Sequence, residues 1–137
     1  MKKAISIAVL LILLTSCFSV SAAAAVPLGI QPLWENTSVV TGTMTFPEEG
    51  TGIAEMRVIG KLNVNKIEGS VVVYQVIGDN LIYITEDSKT ATIRSCGLEI
   101  PFPAEHGAEY RADFKFVVYN TAGVGEVIER TITKTCP

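Results

Sequence analysis

Between Gly107 and Gly125 the chain alternates apolar and polar residues, without a slip through the first half. Tyr110, Ala112, Phe114, Phe116 and Val118 fall on one side, and Arg111, Asp113 and Lys115 on the other. A period of two sends successive side chains to opposite faces, which is what a strand with one buried face requires. Asn120 to Gly125 follows, with glycines at 123 and 125, and reads as the turn into a further strand.

The same period organises the chain upstream. Thr37 to Phe46 sets Val40, Met44 and Phe46 on one face and Val39, Thr41, Thr43 and Thr45 on the other, before a turn at Pro47 to Gly52. Ile53 to Leu62 places Ala54, Met56, Val58 and Leu62 inward, with Glu55, Arg57 and Lys61 outward. Ile67 to Ile77 is apolar on both faces, as a central strand would be. Gly78-Asp79-Asn80 is a hairpin signal leading into Leu81 to Thr85. Glu86-Asp87-Ser88 reads as another turn, and Lys89 to Cys96 alternates again. From Gly97 to His106 the pattern breaks, because Pro101 and Pro103 cannot donate to a ladder; edge strand or extended loop is expected. In the last strand, Glu126 to Cys136, Arg130 and Lys134 share a face with Ile128 and Ile132, the mark of an edge or a bulge. No helical period occurs after residue 25. About seven strands at intervals of about ten residues predict an all-β sandwich.

The first 25 residues are of another kind. Met1-Lys2-Lys3 is basic, Ala4 to Leu14 is apolar, and small residues end in Ala22 to Ala25. This is the pattern of a secretory signal peptide, with an apolar run too short to span a bilayer as a helix. Cleavage between Ala22 and Ala25 releases a secreted, extracellular protein. Leu14-Thr15-Ser16-Cys17 also resembles a bacterial lipobox, in which Cys17 becomes a lipidated first residue and anchors the protein at the cell surface. An extended lead-in over 26–36 and one domain over 37–137 complete the expected organisation. Trp34, in the lead-in, either covers one end of the core or offers a stacking platform for a sugar; burial of aromatic area favours the first.

Removing Lys2 and Lys3 with the leader leaves nine basic residues against fourteen acidic ones, a net charge of −5. A mildly acidic domain without a basic run is not built to hold nucleic acid. A membrane is expected as partner only through lipid at Cys17. The two further cysteines, Cys96 and Cys136, form an even pair, which in an oxidising compartment favours a disulfide over free thiols or an intermolecular bond. Such a bridge would close a loop of about forty residues, for roughly 4 kcal/mol in the chain-entropy model.

With this pattern in hand, a family resemblance follows. Gly107-Ala108-Glu109-Tyr110, the alternating run and Asn120-Thr121-Ala122-Gly123-Val124-Gly125 resemble the last two strands of a fibronectin type III domain, an immunoglobulin-like sandwich. The resemblance implies that Tyr110 is a tyrosine corner, its hydroxyl bonded to the backbone of the preceding loop. The core tryptophan usual in the second strand of that family has no counterpart here. A second resemblance, in Ile30-Gln31-Pro32, Asn36-Thr37-Ser38 and Thr133 to Pro137, is to small exported proteins of Gram-positive bacteria, which tend to pair an early cysteine of the second strand with a terminal one. Here Ala54 and Met56 occupy that region. In the sandwich topology, Lys89 to Cys96 as fifth strand would bring Cys96 beside the start of the second strand and within reach of Cys136. Gly97 to Phe102 as fifth strand would put the two sulfurs at opposite ends, too far apart to bond.

For chemistry the residues offer little. His106 stands in a Pro/Gly-bounded loop without a second histidine or an orienting group, so neither catalysis nor metal ligation is expected of it. Glu48 and Glu49 share a Gly-rich turn and read as solvated. Asp79, Asn80, Glu86 and Asp87, read as two nearby turns, suit calcium by ligand type but match no known loop spacing. No cofactor and no metal are expected. Asn36-Thr37-Ser38 matches a glycosylation acceptor pattern, to which a bacterial leader gives no weight. The remaining reading is a non-catalytic binding or cell-surface interaction module for an extracellular protein or glycan, against a purely structural or lipid-anchored envelope protein. An outer face carrying Val71, Val73, Ile77, Ile53 and Ile59 would be its contact surface, unless covered by Gly97 to Phe102.

Overall fold

In a computed structural model that describes residues 34–137, the described residues form seven antiparallel strands in two sheets. The leader and Cys17 lie outside the described residues. The strands are β1 (Thr37–Glu48), β2 (Thr51–Gly60), β3 (Val64–Ile77), β4 (Asn80–Ala91), β5 (Ser95–Pro103), β6 (Glu109–Asn120) and β7 (Gly125–Thr135). One sheet has the order β1-β2-β5 and the other β4-β3-β6-β7.

The two inner faces meet as the alternation requires. Tyr110, Ala112, Phe114, Phe116 and Val118 of β6 are all buried. They pack with Ile67, Val71 and Val73 of β3, Met44 of β1, Ala54, Met56 and Val58 of β2, and Leu98, Ile100 and Phe102 of β5. Phe46, Phe102 and Tyr110 form an aromatic cluster at one end, with ring centroids 5.1–6.2 Å apart in tilted or edge arrangements. There the Tyr110 hydroxyl accepts a hydrogen bond from the Glu105 N–H at 2.8 Å.

Four details differ from the sequence reading. Glu86-Asp87-Ser88 is not a turn but the middle of β4, where Glu86 pairs with Val72 and Asp87 with Val71. The acids are tolerated because β4 is a sheet edge and leaves them in water. No strand runs from Lys89 to Cys96: β4 ends at Ala91. The fifth strand is Ser95–Pro103, which contains both prolines and lies at the outer edge of its sheet, one of the two readings expected there. Leu62 does not point inward, since β2 ends at Gly60, whose N–H turns to the Arg94 carbonyl at 2.7 Å. Finally, Val71 and Val73 lie in the core rather than on the outer face, and Ile53 and Ile59 are half-buried in the other sheet. On β3 the outward face carries Val72, Tyr74 and Val76 after Lys66, Glu68 and Ser70.

The expected disulfide is absent: Cys96 and Cys136 are free thiols, each buried. With Gly97–Phe102 inside the fifth strand, Cys96 sits opposite Val58 near the start of β5. Cys136 follows β7 at the other end, its N–H on the Ala108 carbonyl at 2.8 Å. Strand direction alone keeps the sulfurs apart.

Candidate interaction surfaces

A two-sheet sandwich has four edge strands, here β1, β5, β4 and β7, and each exposes unpaired backbone groups that must be managed. On one flank β7 turns charge inward. Arg130 lies over the Trp34 ring, 5.4 Å from its centroid, and Lys134 Nζ donates to the Met44 carbonyl of β1 at 2.9 Å. Trp34 is half-buried against the core, which is the covering role expected of it. On the other flank β5 is blunted by exposed Pro101 and Pro103, and the lower part of β4 carries Asp87 and Lys89 on its inward side.

The upper part of β4, from Asn80 to Ile84, has neither charge nor proline. It pairs with the end of β3, Leu81 opposite Val76 and Tyr83 opposite Tyr74, and Ile84 is an extra residue at the Val73–Tyr74 step. Such a bulge re-aims the strand beyond it. Tyr74, Val76, Leu81 and Tyr83 therefore share the outer face of the hairpin. Tyr83 is 57 % exposed, and Leu81, Ile82 and Ile77 are exposed as well. Next to Tyr74 in the sheet stands Arg111, paired through its Nε with Asp113 at 2.8 Å, and Thr131 Oγ1 donates to the same carboxylate at 2.7 Å. Hydrogen bonding to Asp113 raises the Arg111 pKa further. The patch is thus apolar at the hairpin and ionic where it meets β6.

A second exposed group lies at the opposite end. The β2–β3 loop carries Leu62, 86 % exposed, the β4–β5 loop Ile93, 64 %, and the β6–β7 turn Val124, 56 %. Backbone hydrogen bonds join these loops: Gly60 N–H to the Arg94 carbonyl at 2.7 Å and Thr121 N–H to the Asn63 carbonyl at 2.9 Å. Asn36 fastens the incoming chain to the same end. Its buried carboxamide donates to the carbonyls of Val118 at 3.0 Å and Val124 at 3.1 Å, while the Glu35 and Asn36 N–H groups hold the Glu126 carboxylate. A side chain so engaged is no acceptor for a glycan. Beside it, Glu68 accepts from Lys66 and Tyr119; those bonds lower its pKa, and Lys66 is raised by the same pairing.

The other candidates from the sequence are not assembled. Asp79 and Asn80 lie at the hairpin, but Glu86 and Asp87 are six or more positions further along the same strand, about 20 Å away at the rise of a strand. The two-turn calcium arrangement therefore does not exist. His106 is exposed in the β5–β6 loop, and Glu48 and Glu49 are exposed around the β1–β2 turn. Among the described residues no three His, Cys, Asp or Glu side chains converge to hold a metal.

No family model matches the chain, and no curated protein matches it in sequence. Among solved structures it is similar to Spo0M, a sporulation control protein from Bacillus subtilis, at 11 % identity and a TM-score of 0.37 over 72 % of this chain. The chain spans about half, 49 %, of the length of that protein. A protein from Archaeoglobus fulgidus is similar at 10 % identity and a TM-score of 0.33, over 74 % of this chain and 98 % of its own. Neither likeness bears on function.

Proposed function

We propose that the chain is an exported, non-catalytic interaction module of fibronectin type III-like build, which binds an extracellular protein through the β3–β4 hairpin. Three features support the fold reading: the orders β1-β2-β5 and β4-β3-β6-β7, the Tyr110–Glu105 bond in the position of a tyrosine corner, and the Asn120–Gly125 hairpin. The observation that carries the function is the Asn80–Ile84 edge, which has neither charge nor proline and is flanked by Tyr74 and Tyr83, whereas β5 and β7 carry proline or charge and β1 is held at the Met44 carbonyl by Lys134 of β7. An open edge offers backbone hydrogen bonds to an added strand, and tyrosines supply rigid contact area at little entropic cost.

Export and contact are tested together by placing a photo-crosslinking phenylalanine at Tyr83, or at Glu129 on the same sheet as a control, in the producing cell. A discrete adduct in the exported fraction at position 83, missing at 129 and lost when Leu81→Lys is added, is the expected result. Equal adducts at both positions, no adduct at 83, or a chain retained inside the cell would overturn the proposal.

A further inference from the structure

Leu62, Ile93 and Val124 come from three loops far apart in sequence, yet the backbone bonds Gly60–Arg94 and Thr121–Asn63 bring those loops to one end of the sandwich. Each is more than half exposed. Two are flanked by an exposed basic residue, Leu62 by Lys61 and Ile93 by Arg94. Of the acids at this end, Glu35 is exposed, and the Glu126 carboxylate is already occupied by two backbone N–H groups. Apolar tips beside cationic side chains are the makeup of a surface that enters the boundary between headgroups and acyl chains.

The incoming chain favours the same occupant. Trp34 leads into β1 at this end, its carbonyl accepting from Lys61 Nζ and its ring under Arg130. The 33 residues before it include the apolar run Ala4 to Leu14 and Cys17. If Cys17 carries lipid or the run is retained, the membrane-bound part joins the domain at the pole that carries the three aliphatics; cleavage between Ala22 and Ala25 leaves the contact to the loops alone. Seventeen residues from Cys17 to Trp34 reach at most about 60 Å, so the loops stay within range of the bilayer. A weak second contact on a tethered molecule forms at high effective concentration, so shallow insertion of three aliphatic side chains suffices to orient the domain.

We infer that the pole formed by Leu62, Ile93 and Val124 is a lipid-docking surface, which seats the domain end-on upon the membrane and points the β3–β4 hairpin away from it. The inference is independent of what the hairpin binds. The full chain has a single tryptophan, which makes fluorescence quenching by lipid a direct test. In a Trp34→Phe background, Leu62→Trp and Tyr83→Trp place the fluorophore at the two ends, both at exposed positions. The full chain is mixed with vesicles of phosphatidylcholine brominated in the acyl chains, with or without phosphatidylglycerol.

Emission from position 62 is expected to fall at least twofold relative to unbrominated vesicles, with position 83 unchanged. Quenching at 62 in both vesicle types assigns the contact to the aliphatics, and quenching only with phosphatidylglycerol assigns it to Lys61 and Arg94; either supports the inference. Should the Trp34→Phe background fail to fold, quenching of native Trp34 is compared with that in the Leu62→Asp, Ile93→Asp, Val124→Asp triple variant, which should abolish it. No quenching at this pole, or equal quenching at both ends, overturns the inference and leaves the three loops to a protein partner.

Discussion

The Tyr110 hydroxyl accepts the Glu105 N–H at 2.8 Å, tying the β5–β6 loop to the first inward residue of β6. The ring is fully buried against Phe46 and Phe102, so only the oxygen serves the loop. Tyr110→Phe therefore keeps the packing and removes one acceptor. A loss of about 1 kcal/mol is expected, which lowers the melting temperature by about 4–8 °C in a domain of this size. Thermal unfolding followed by circular dichroism checks it; an unchanged melting temperature would show that solvent replaces the bond at no cost.

How far this was legible in sequence depends on what competes with the alternation. In β6 nothing does: charges stand at Arg111, Asp113 and Lys115 and apolar residues, three of them aromatic, at the alternate places, so face and burial follow. In β3 the run of valines hides the phase. It can be recovered from Lys66, Glu68 and Ser70, which keep one parity facing outward and so send Ile67, Val71 and Val73 into the core. Reading the valines without that anchor inverts the strand and conceals Tyr74 and Val76. The turn expected at Glu86–Ser88 failed because acids mark solvent, and a sheet edge is as wet as a turn. Pro101 and Pro103 leave edge strand and extended loop both open, because a missing donor is tolerated in either; the structure has the edge strand. The docking pole had no local signal, since Leu62, Ile93 and Val124 become neighbours only through the order of the strands.

Asn36 is a buried amide between two carbonyls, those of Val118 and Val124. It joins the start of β1 to the β6–β7 hairpin across both sheets. Asn36→Ala leaves the acceptors unpaired and is expected to cost about 1–3 kcal/mol. Asn36→Asp should cost more, because an ionised carboxylate has no donor to offer and confronts two carbonyl oxygens. Urea unfolding reads both: the midpoint falls in the order wild type, Ala, Asp, with little change in slope. An Asp variant as stable as wild type would mean that this junction opens to water.

Gly69 is needed for closeness rather than for a special backbone angle. A Cβ built there would meet Phe116 Cε1 at 2.6 Å and Leu98 Cδ1 at 3.0 Å. Both neighbours are fully packed core groups, so neither can retreat far. Gly69→Ala is expected to destabilise by about 1–3 kcal/mol through overpacking. Phe116→Leu alone also destabilises, by leaving a void, but the double variant should lose less than the sum of the two. A double-mutant cycle measures that coupling; strict additivity would show that the ring is not what the added methyl strikes.

The thiols provide the remaining test, and its sign can be worked out. Burial pushes the Cys96 pKa above its ordinary 9.0, with Lys89 nearby opposing the shift. The folded state thus holds the proton to higher pH than the unfolded chain does. Its contribution to stability is complete below the unfolded pKa near 9 and is lost as pH rises through the folded value. Cys96→Ala lowers stability at neutral pH by leaving a small void, but it removes this alkaline loss. Urea midpoints of the two proteins should therefore converge above about pH 9. Because Cys96 and Cys136 are unlinked, a reducing agent should leave the melting temperature at pH 7 unchanged. A fall of several degrees on reduction would require a disulfide, and hence a fifth strand other than Ser95–Pro103.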